Sequence, residues 1–337
     1  MIPVFYHPDQ YKHNPLYEWD KRGHVPHPET SKRLDAILRV LKEHPQYQFK
    51  RPKTIPTKTI EAVHHAPLLE LYQLSSQLND GEFFSPTSFP ANTKATPLHP
   101  KRLQETGFFC EDTSTPFSNE LISAIYGSAA SAVAGAKAIQ KNEPLAYALC
   151  RPPGHHASAG YFGGYCYLNN AAIAAEYLSQ QGSKVCILDI DYHHGDGTQS
   201  IFYSRNDVLT VSLHADPSDK FPFFTGFSHE IGQGDGERYN LNICLPKRIQ
   251  VDGYLAALQH HALPKIDAFS PEYLIIAFGA DTYLGDPICD FLLDIFDYTL
   301  IGQALAELNL PTLVIQEGGY CKGAIGEIVH HFLQGLS

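Results

Sequence analysis

The chain has 337 residues, 43% of them hydrophobic and 18% charged, with a formal net charge of −11 at pH 7. That is the composition of a soluble globular protein, and its acidity argues against nonspecific nucleic-acid binding while suiting a cationic substrate. No apolar run approaches the ~20 residues of a membrane span, and the N-terminal MIPVFYHPDQYKHN lacks the basic-then-apolar order of a secretory signal, so the expected location is cytoplasmic.

In chain order, residues 29–44 (ETSKRLDAILRVLKEH) carry Leu34, Ile37, Leu38 and Leu41 at helical spacing and predict an amphipathic helix. Residues 80–117 are rich in Pro, Thr and Ser and predict a long ordered loop, of the kind that often carries function. The Ala-rich 121–140 predicts a tightly packed helix, and 145–150 (LAYALC) a short buried strand. A helix is expected over 168–181, then strands over 184–190 (KVCILDI), 208–213 (VLTVSL) and 239–245 (YNLNICL). A helix at 251–263, a strand at 272–279, a helix at 297–308 and a strand at 312–316 (TLVIQ) complete the series. Near-continuous apolar strands alternating with helices imply an α/β fold whose parallel sheet is covered on both faces. No internal linker breaks the pattern, so residues 1–337 are read as one domain. Seven scattered cysteines without a CxxC pair (Cys110, Cys150, Cys166, Cys186, Cys244, Cys289 and Cys321) read as reduced thiols.

Sites in open parallel sheets lie beyond the carboxyl ends of the strands. Here RPPGHH, with His155 and His156, follows LAYALC. Asp189, Asp191, His193, His194 and Asp196 close or follow KVCIL, while His214 and Asp216 follow VLTVSL. Asp281 follows EYLIIAFGA, and EGGY, ending in Tyr320, follows TLVIQ. A lone DxH is more often a strand cap than a metal site, but five strand ends bearing such groups favour the metal. Asp191, His193 and Asp281 make two carboxylates and one imidazole, a set that leaves positions open for water and substrate, as in a catalytic divalent-metal site. Asp189 is expected beneath this set, and the tandem imidazoles need orienting carboxylates, for which Asp189 and Asp196 are available. Tyr320, on a Gly-Gly turn, reads as a donor to a developing oxyanion.

Together RPPGHH, GGYCYLNNAA, LDIDYHHGDGTQ, VSLHAD, GADT and QEGGY resemble the zinc-dependent histone deacetylase and acetylpolyamine amidohydrolase family, in order, from His27-Pro28-Glu29 to the C-terminus. TSFP near residue 87, GGYCY, GADTYLGDP and EGGY look closest to its acetylpolyamine and bacterial class II-like branch. The resemblance implies an arginase/deacetylase fold, with a central parallel sheet of about eight strands flanked by helices. It implies zinc on Asp191, His193 and Asp281, His156 as general base and then acid, oriented by Asp196, and His155, paired with Asp189, acting electrostatically. Tyr320 would bind the substrate carbonyl, and Gly164, Tyr165 and Phe221 would line the tunnel. One potassium ion is implied near Asp189, Asp191, His193, Ser212 and Leu213, and a second near Phe202, Arg205, Val208 and Tyr239. The implied reaction is hydrolytic removal of acetyl or other short acyl groups by metal-activated water, from acetyl-lysine peptides or from acetylated polyamines. A homo-oligomer is compatible with this reading.

ETSKR stands where the family commonly has ExPxR, which touches the rim and not the catalytic set. An arginase-like two-manganese site would repeat DxHxD, but Gly195 stands two residues after His193. An inactive binding protein would be expected to lack a ligand, a tandem histidine or the tyrosine, and none is missing. For selectivity at the mouth, the place shortly after the third ligand is Ile288, flanked by Asp286 and Asp290. Glu82, Glu105 and Glu111 of the long loop are further candidate acids.

Overall fold

A computed structural model describes residues 1–20, 23–87, 97–223 and 225–337. Part of the predicted 80–117 excursion, including Ser88–Pro90 of TSFP, lies outside the described residues. The chain begins with β1 (Ile2–Phe5), the hairpin β2 (Tyr17–Asp20) and β3 (Gly23–Pro26), α1 (Lys32–Lys42) and β4 (Tyr47–Lys50). Two short helices, α2 (Thr57–Glu61) and α3 (Ala66–Gln73), lead to a small pair, β5 (Phe83–Phe84) and β6 (Phe117–Ser118). Then come α4 (Leu121–Gln140), β7 (Leu145–Ala148), α5 (Asn170–Ser179), β8 (Val185–Asp189), α6 (Asp196–Phe202), β9 (Val208–Ala215) and β10 (Asn240–Leu245). The last part holds α7 (Val251–Ala257), α8 (Leu263–Phe269), β11 (Tyr273–Phe278), α9 (Asp297–Ala306), β12 (Thr312–Gln316) and α10 (Ile325–Gly335).

Eight strands form one all-parallel sheet in the order β10-β9-β8-β11-β12-β7-β1-β4. Side chains alternate along each strand, and the inner strands β7, β8, β9 and β12 are buried on both faces, while the edge strands β4 and β10 are partly exposed. Cys186 and Leu188 of β8 join Leu274, Ile276 and Phe278 of β11 on the face covered by α1, α7, α8, α9 and α10. Val185 and Ile187 join Ile275 and Ala277 on the other face, under α3, α4, α5 and α6.

The sequence pattern misses β1 and β4, each four residues long and too short to show a period. The helix expected at 251–263 continues instead to Phe269, through a wide π turn at Leu258–Ala262. Pro264 has no N–H for the ladder, and the wide turn accommodates that gap. One correction concerns α4, which is long and apolar enough, by length and composition, to cross a membrane, and 67% of that apolar window is buried within the protein. Its apolarity comes from Ala with Ile, Leu and Val, and a Cβ at Gly135 would overlap Leu313 of β12, so close packing on the sheet accounts for the many small residues.

Glu29 is buried between two buried arginines, its Oε1 3.0 Å from Arg33 Nη1 and 2.8 Å from Arg151 Nε. Arg33 also donates to the carbonyls of Gly319 and Glu317, which fixes the turn after β12. Arg151 donates to the carbonyls of Gln10 and His13, at 2.6 Å each. Ser31, where the family commonly has proline, donates its N–H to Asn14 Oδ1 at 2.8 Å, a bond proline cannot make. Removing the one acid that compensates two buried guanidinium groups leaves unpaired charge in the interior. Glu29→Ala should therefore lower unfolding free energy by about 3–5 kcal/mol in denaturant titration. A loss below about 1 kcal/mol, the level of an exposed pair, would show that the arginines are satisfied without it.

Candidate active site

Of the polar residues at the strand ends, His155, His156, His193 and Tyr320 line one cavity of about 230 Å³, together with Asp112, Ser114, Gly164 and Tyr165. His214 instead bonds Ser212 and Gly226 O, and Asp216 is exposed. Phe221 and Ile288 complete the cavity wall. Beneath it, Asp191, His193 and Asp281 present ligand atoms within 4.8 Å of one another. His193 turns Nδ1 toward both acids, 3.4 Å from Asp191 Oδ1 and 3.2 Å from Asp281 Oδ2. The backbone holds the carboxylates in place. Gly318 N–H donates to Asp191 Oδ2, His193 N–H to Asp191 Oδ1 and Tyr192 N–H to Asp281 Oδ1. Asp281 Oδ2 is buried without a well-formed hydrogen bond, facing only the His193 nitrogen. Two buried carboxylates aimed at one point suit a divalent cation, so the donor set fits zinc. Asp189 lies outside it, with Oδ1 accepting from Asp191 N–H and Oδ2 facing His155 Nδ1 at 3.0 Å. A side chain at Gly195 would collide with Asp189, leaving no room there for the extra acid of a two-metal site.

Asn169 caps α5 by accepting from Ala172 N–H, and its amide donates to Ala157 O and Thr198 Oγ1, pinning the His155–His156 loop between α5 and α6. The tandem rings stack obliquely, 4.0 Å between centroids, but their surroundings divide them. Burial opposes charge on His155, yet Asp191 and Asp189 outweigh it and hold its pKa well above the usual value. Burial, reinforced by charge on His155 and His193, holds His156 well below it. His156 Nδ1 lies 2.6 Å from Asp196 Oδ1, which assigns the proton to Nδ1 and leaves the Nε2 lone pair free.

Phe221 meets the His156 ring edge-on at 4.8 Å. On the other wall Gly164 and Tyr165 adopt positive φ, 55° and 67°, and a Cβ at Gly164 would overlap His156. Gly164 N–H donates to Asp112, and the Tyr165 hydroxyl donates to Glu18 Oε2 at 2.9 Å. Asp286 accepts from Tyr320 N–H at 2.6 Å and Cys321 N–H at 3.0 Å, while the Arg33 guanidinium lies 4.9 Å from the Tyr320 ring centroid.

Ser212 stands opposite Asp189 in the sheet register, so the first suggested potassium set gathers at the carboxyl ends of β8 and β9. Phe202, Arg205, Val208 and Tyr239 gather at the opposite end of β9, where the Arg205 guanidinium is spent on Glu176 and Asp207. The candidate mouth acids are used elsewhere. Asp286 binds backbone, Asp290 pairs with Lys220, and Glu82 and Glu105 bond to their own loop. The acids beside the cavity are instead Asp112 and Glu18. Sequence reasoning also gave no role to buried Glu317, whose Oε2 accepts from Gly154 N–H at 2.6 Å and His155 N–H at 3.1 Å. Its place after TLVIQ was the available signal.

Burial and the Asp191 charge push Asp281 up to about 7, against the pull of His193. Burial opposes charge on His193, but the Asp191 and Asp281 carboxylates facing its Nδ1 raise it to about 9. A metal ion must displace both protons. Zinc binding to chelator-treated protein should therefore release more protons at pH 6 than at pH 8, where Asp281 is already ionised. Calorimetry in buffers of different ionisation enthalpy measures this, and no release at either pH would exclude this ligand set.

The histone deacetylase domain model matches residues 27–336. The chain is 40% identical over 315 residues to acetylpolyamine amidohydrolase 1 of Pseudomonas aeruginosa, covering 91% of this chain and 90% of that one. It is 37% identical to the acetylpolyamine amidohydrolase of Mycoplana ramosa, covering 93% of each. The crystal structure of an acetylpolyamine aminohydrolase from Burkholderia pseudomallei superimposes with a TM-score of 0.93 at 32% identity, covering 99% of this chain and 98% of that one.

Proposed function

The chain belongs to the histone deacetylase family and is a deacetylase of it, and on that premise we propose that it hydrolyses the acyl amide of acetylated aliphatic amines at a zinc ion held by Asp191, His193 and Asp281. The observation that carries this reading is the pairing of that buried donor set with a neutral His156 and a phenol in the wall of one cavity. When bound, the ion supplies Lewis-acid polarisation of the amide carbonyl and lowers the pKa of its water to about 7 in favourable cases.

The rest is done by side chains. His156 Nε2 accepts the proton of the attacking water while Asp196 fixes the Nδ1–H tautomer. Tyr320 donates a hydrogen bond from its hydroxyl to the carbonyl oxygen as that oxygen becomes negative, and keeps its proton. His156 then delivers the proton to the departing amine nitrogen, so one imidazole serves first as base and then as acid. A charged His155 beside it keeps His156 neutral and ready to accept. Potassium is assigned to the two sets named above, the first at the carboxyl ends of β8 and β9, where Asp189 stands beside Ser212. The seven free cysteines support a reducing cytoplasmic location.

The cavity between Tyr165 and Phe221 suits an unbranched chain, which acetylpolyamines and acetyl-lysine share. The relatives' names favour acetylpolyamines as substrates, and the shared unbranched chain makes acetyl-lysine peptides the second class proposed. A panel of both substrate types, run with and without chelator, tests the reading, and inactivity on every acetylated amine with metal bound would overturn it. Tyr320→Phe should keep the metal and the fold but lose about 10²- to 10³-fold in kcat, the scale of one oxyanion donor. Near-normal kcat in that variant would reduce the EGGY turn to a structural role.

A further inference from the structure

Beside His155 lies a second group of metal-ligating atoms that the mechanism above does not use. His155, Cys166 and Glu317 each offer one such atom, and the three lie within 4.8 Å of one another. All three residues are buried, at 3% exposure or less. Backbone bonds fix where they sit. Cys166 closes a turn with Gly163 through amide bonds of 2.8 and 3.2 Å, and Glu317 N–H donates to Phe278 O at 2.8 Å. Glu317 Oε2 is spent on the Gly154 and His155 N–H groups, but its Oε1 is buried without a hydrogen-bond partner. The Cys166 thiol donates only to Gly164 O, at 3.4 Å. Asp189 holds His155 Nδ1 at 3.0 Å, whereas Nε2 lies 3.7 Å from Asp191 Oδ1, beyond a hydrogen bond, so Nε2 is the nitrogen open to a ligand. A buried polar oxygen left unpaired is a feature that a bound ion would explain.

We propose that His155, Cys166 and Glu317 form a second, inhibitory site for a thiophilic divalent ion such as zinc. Thiolate, imidazole and carboxylate together suit zinc or cobalt over magnesium or calcium, and three protein ligands leave one tetrahedral position open. Asp189 on His155 Nδ1 is then the orienting carboxylate that ligating histidines commonly have. His155 lines the cavity, which gives the ion its route in. On binding, the Cys166 thiol and His155 Nε2 each release a proton to solvent, and bonds to the ion take the place of S–H and N–H. Burial makes the thiol proton hard to remove, so this site is weaker than Asp191, His193 and Asp281 and fills only when metal exceeds one equivalent. Filling it inhibits. The His155 and His156 rings are 4.0 Å apart, and a dication on one lowers the proton affinity of the other, which makes His156 a poorer base. The inhibition rests on the reading of His156 as the base, and the binding does not.

Chelator-treated protein titrated with cobalt tests the site. The first equivalent, held by oxygen and nitrogen, should give no thiolate-to-cobalt charge-transfer absorption, and the second should bring that band in. Cys166→Ser should bind one equivalent without the band and keep the parent's kcat. It should also escape excess zinc, under which the parent should lose most of its turnover. One equivalent in the parent, or a band that survives in Cys166→Ser and so belongs to another of the seven thiols, would overturn the proposal. Full turnover with two equivalents bound would overturn the inhibitory role. A second measurement needs no variant. With ¹¹³Cd the parent should show two resonances, one carrying the large downfield shift of a sulfur ligand, and two resonances without that shift sink the idea. Band and resonance report ligands and not turnover. They decide the site even if every acetylated amine proves inert, the outcome that would sink the functional reading instead.

Discussion

The structure depends on how it tolerates buried negative charge. Asp189, Asp191, Asp281 and Glu317 end or follow the adjacent strands β8, β11 and β12, and none is more than 3% exposed. Each ionised carboxylate taken from water costs several kcal/mol unless a partner compensates it. Arg33 is close, but its guanidinium is committed to Glu29 and two carbonyls. Compensation comes from His155 and His193, from backbone N–H groups, and from protons on Asp281 and Glu317, each raised by burial to about 7. A divalent cation would take over the role of those protons. The same desolvation that makes these carboxylates costly to ionise makes them strong ligands, so folding and chemistry draw on one electrostatic arrangement.

Much of this was legible in the sequence because parallel sheets send their chemistry to one end. His155 and His156, Asp191 and His193, Asp281, and Tyr320 come from four separate stretches of the chain, yet each falls at or just beyond the carboxyl end of a readable apolar strand. Strand topology does the work that conservation would otherwise do. The strands most easily read, such as TLVIQ and the run ending in Asp189, are buried on both faces and show it as unbroken apolarity.

What escaped lacked local signal. Pro3 within IPVF argues against a strand, yet β1 pairs along its length with β4 and over only Val4 and Phe5 with β7. The partnership of Glu29 with Arg33 is one helical turn apart, but Arg151 arrives from a different strand end, and no periodicity announces it. Acids were the hardest to place. Asp286 and Asp290 both read as mouth charges, and each is committed to a fixed partner, because a carboxylate near a cavity can serve backbone amides or a lysine as readily as a ligand. Nothing short of three-dimensional neighbours separates those uses.

Tyr320 is gripped by its backbone rather than its side chain. Asp286 clamps its N–H, Arg33 covers the ring, and among the described residues no hydrogen bond holds the phenol oxygen. A ligand that offers Tyr320 an acceptor thus has no internal hydrogen bond of the phenol to break. Compounds that merely fill the cavity between Tyr165 and Phe221 forgo that contact. Scaffolds with a carbonyl or hydroxamate oxygen directed at the phenol should be the ones whose potency is most sensitive to this residue.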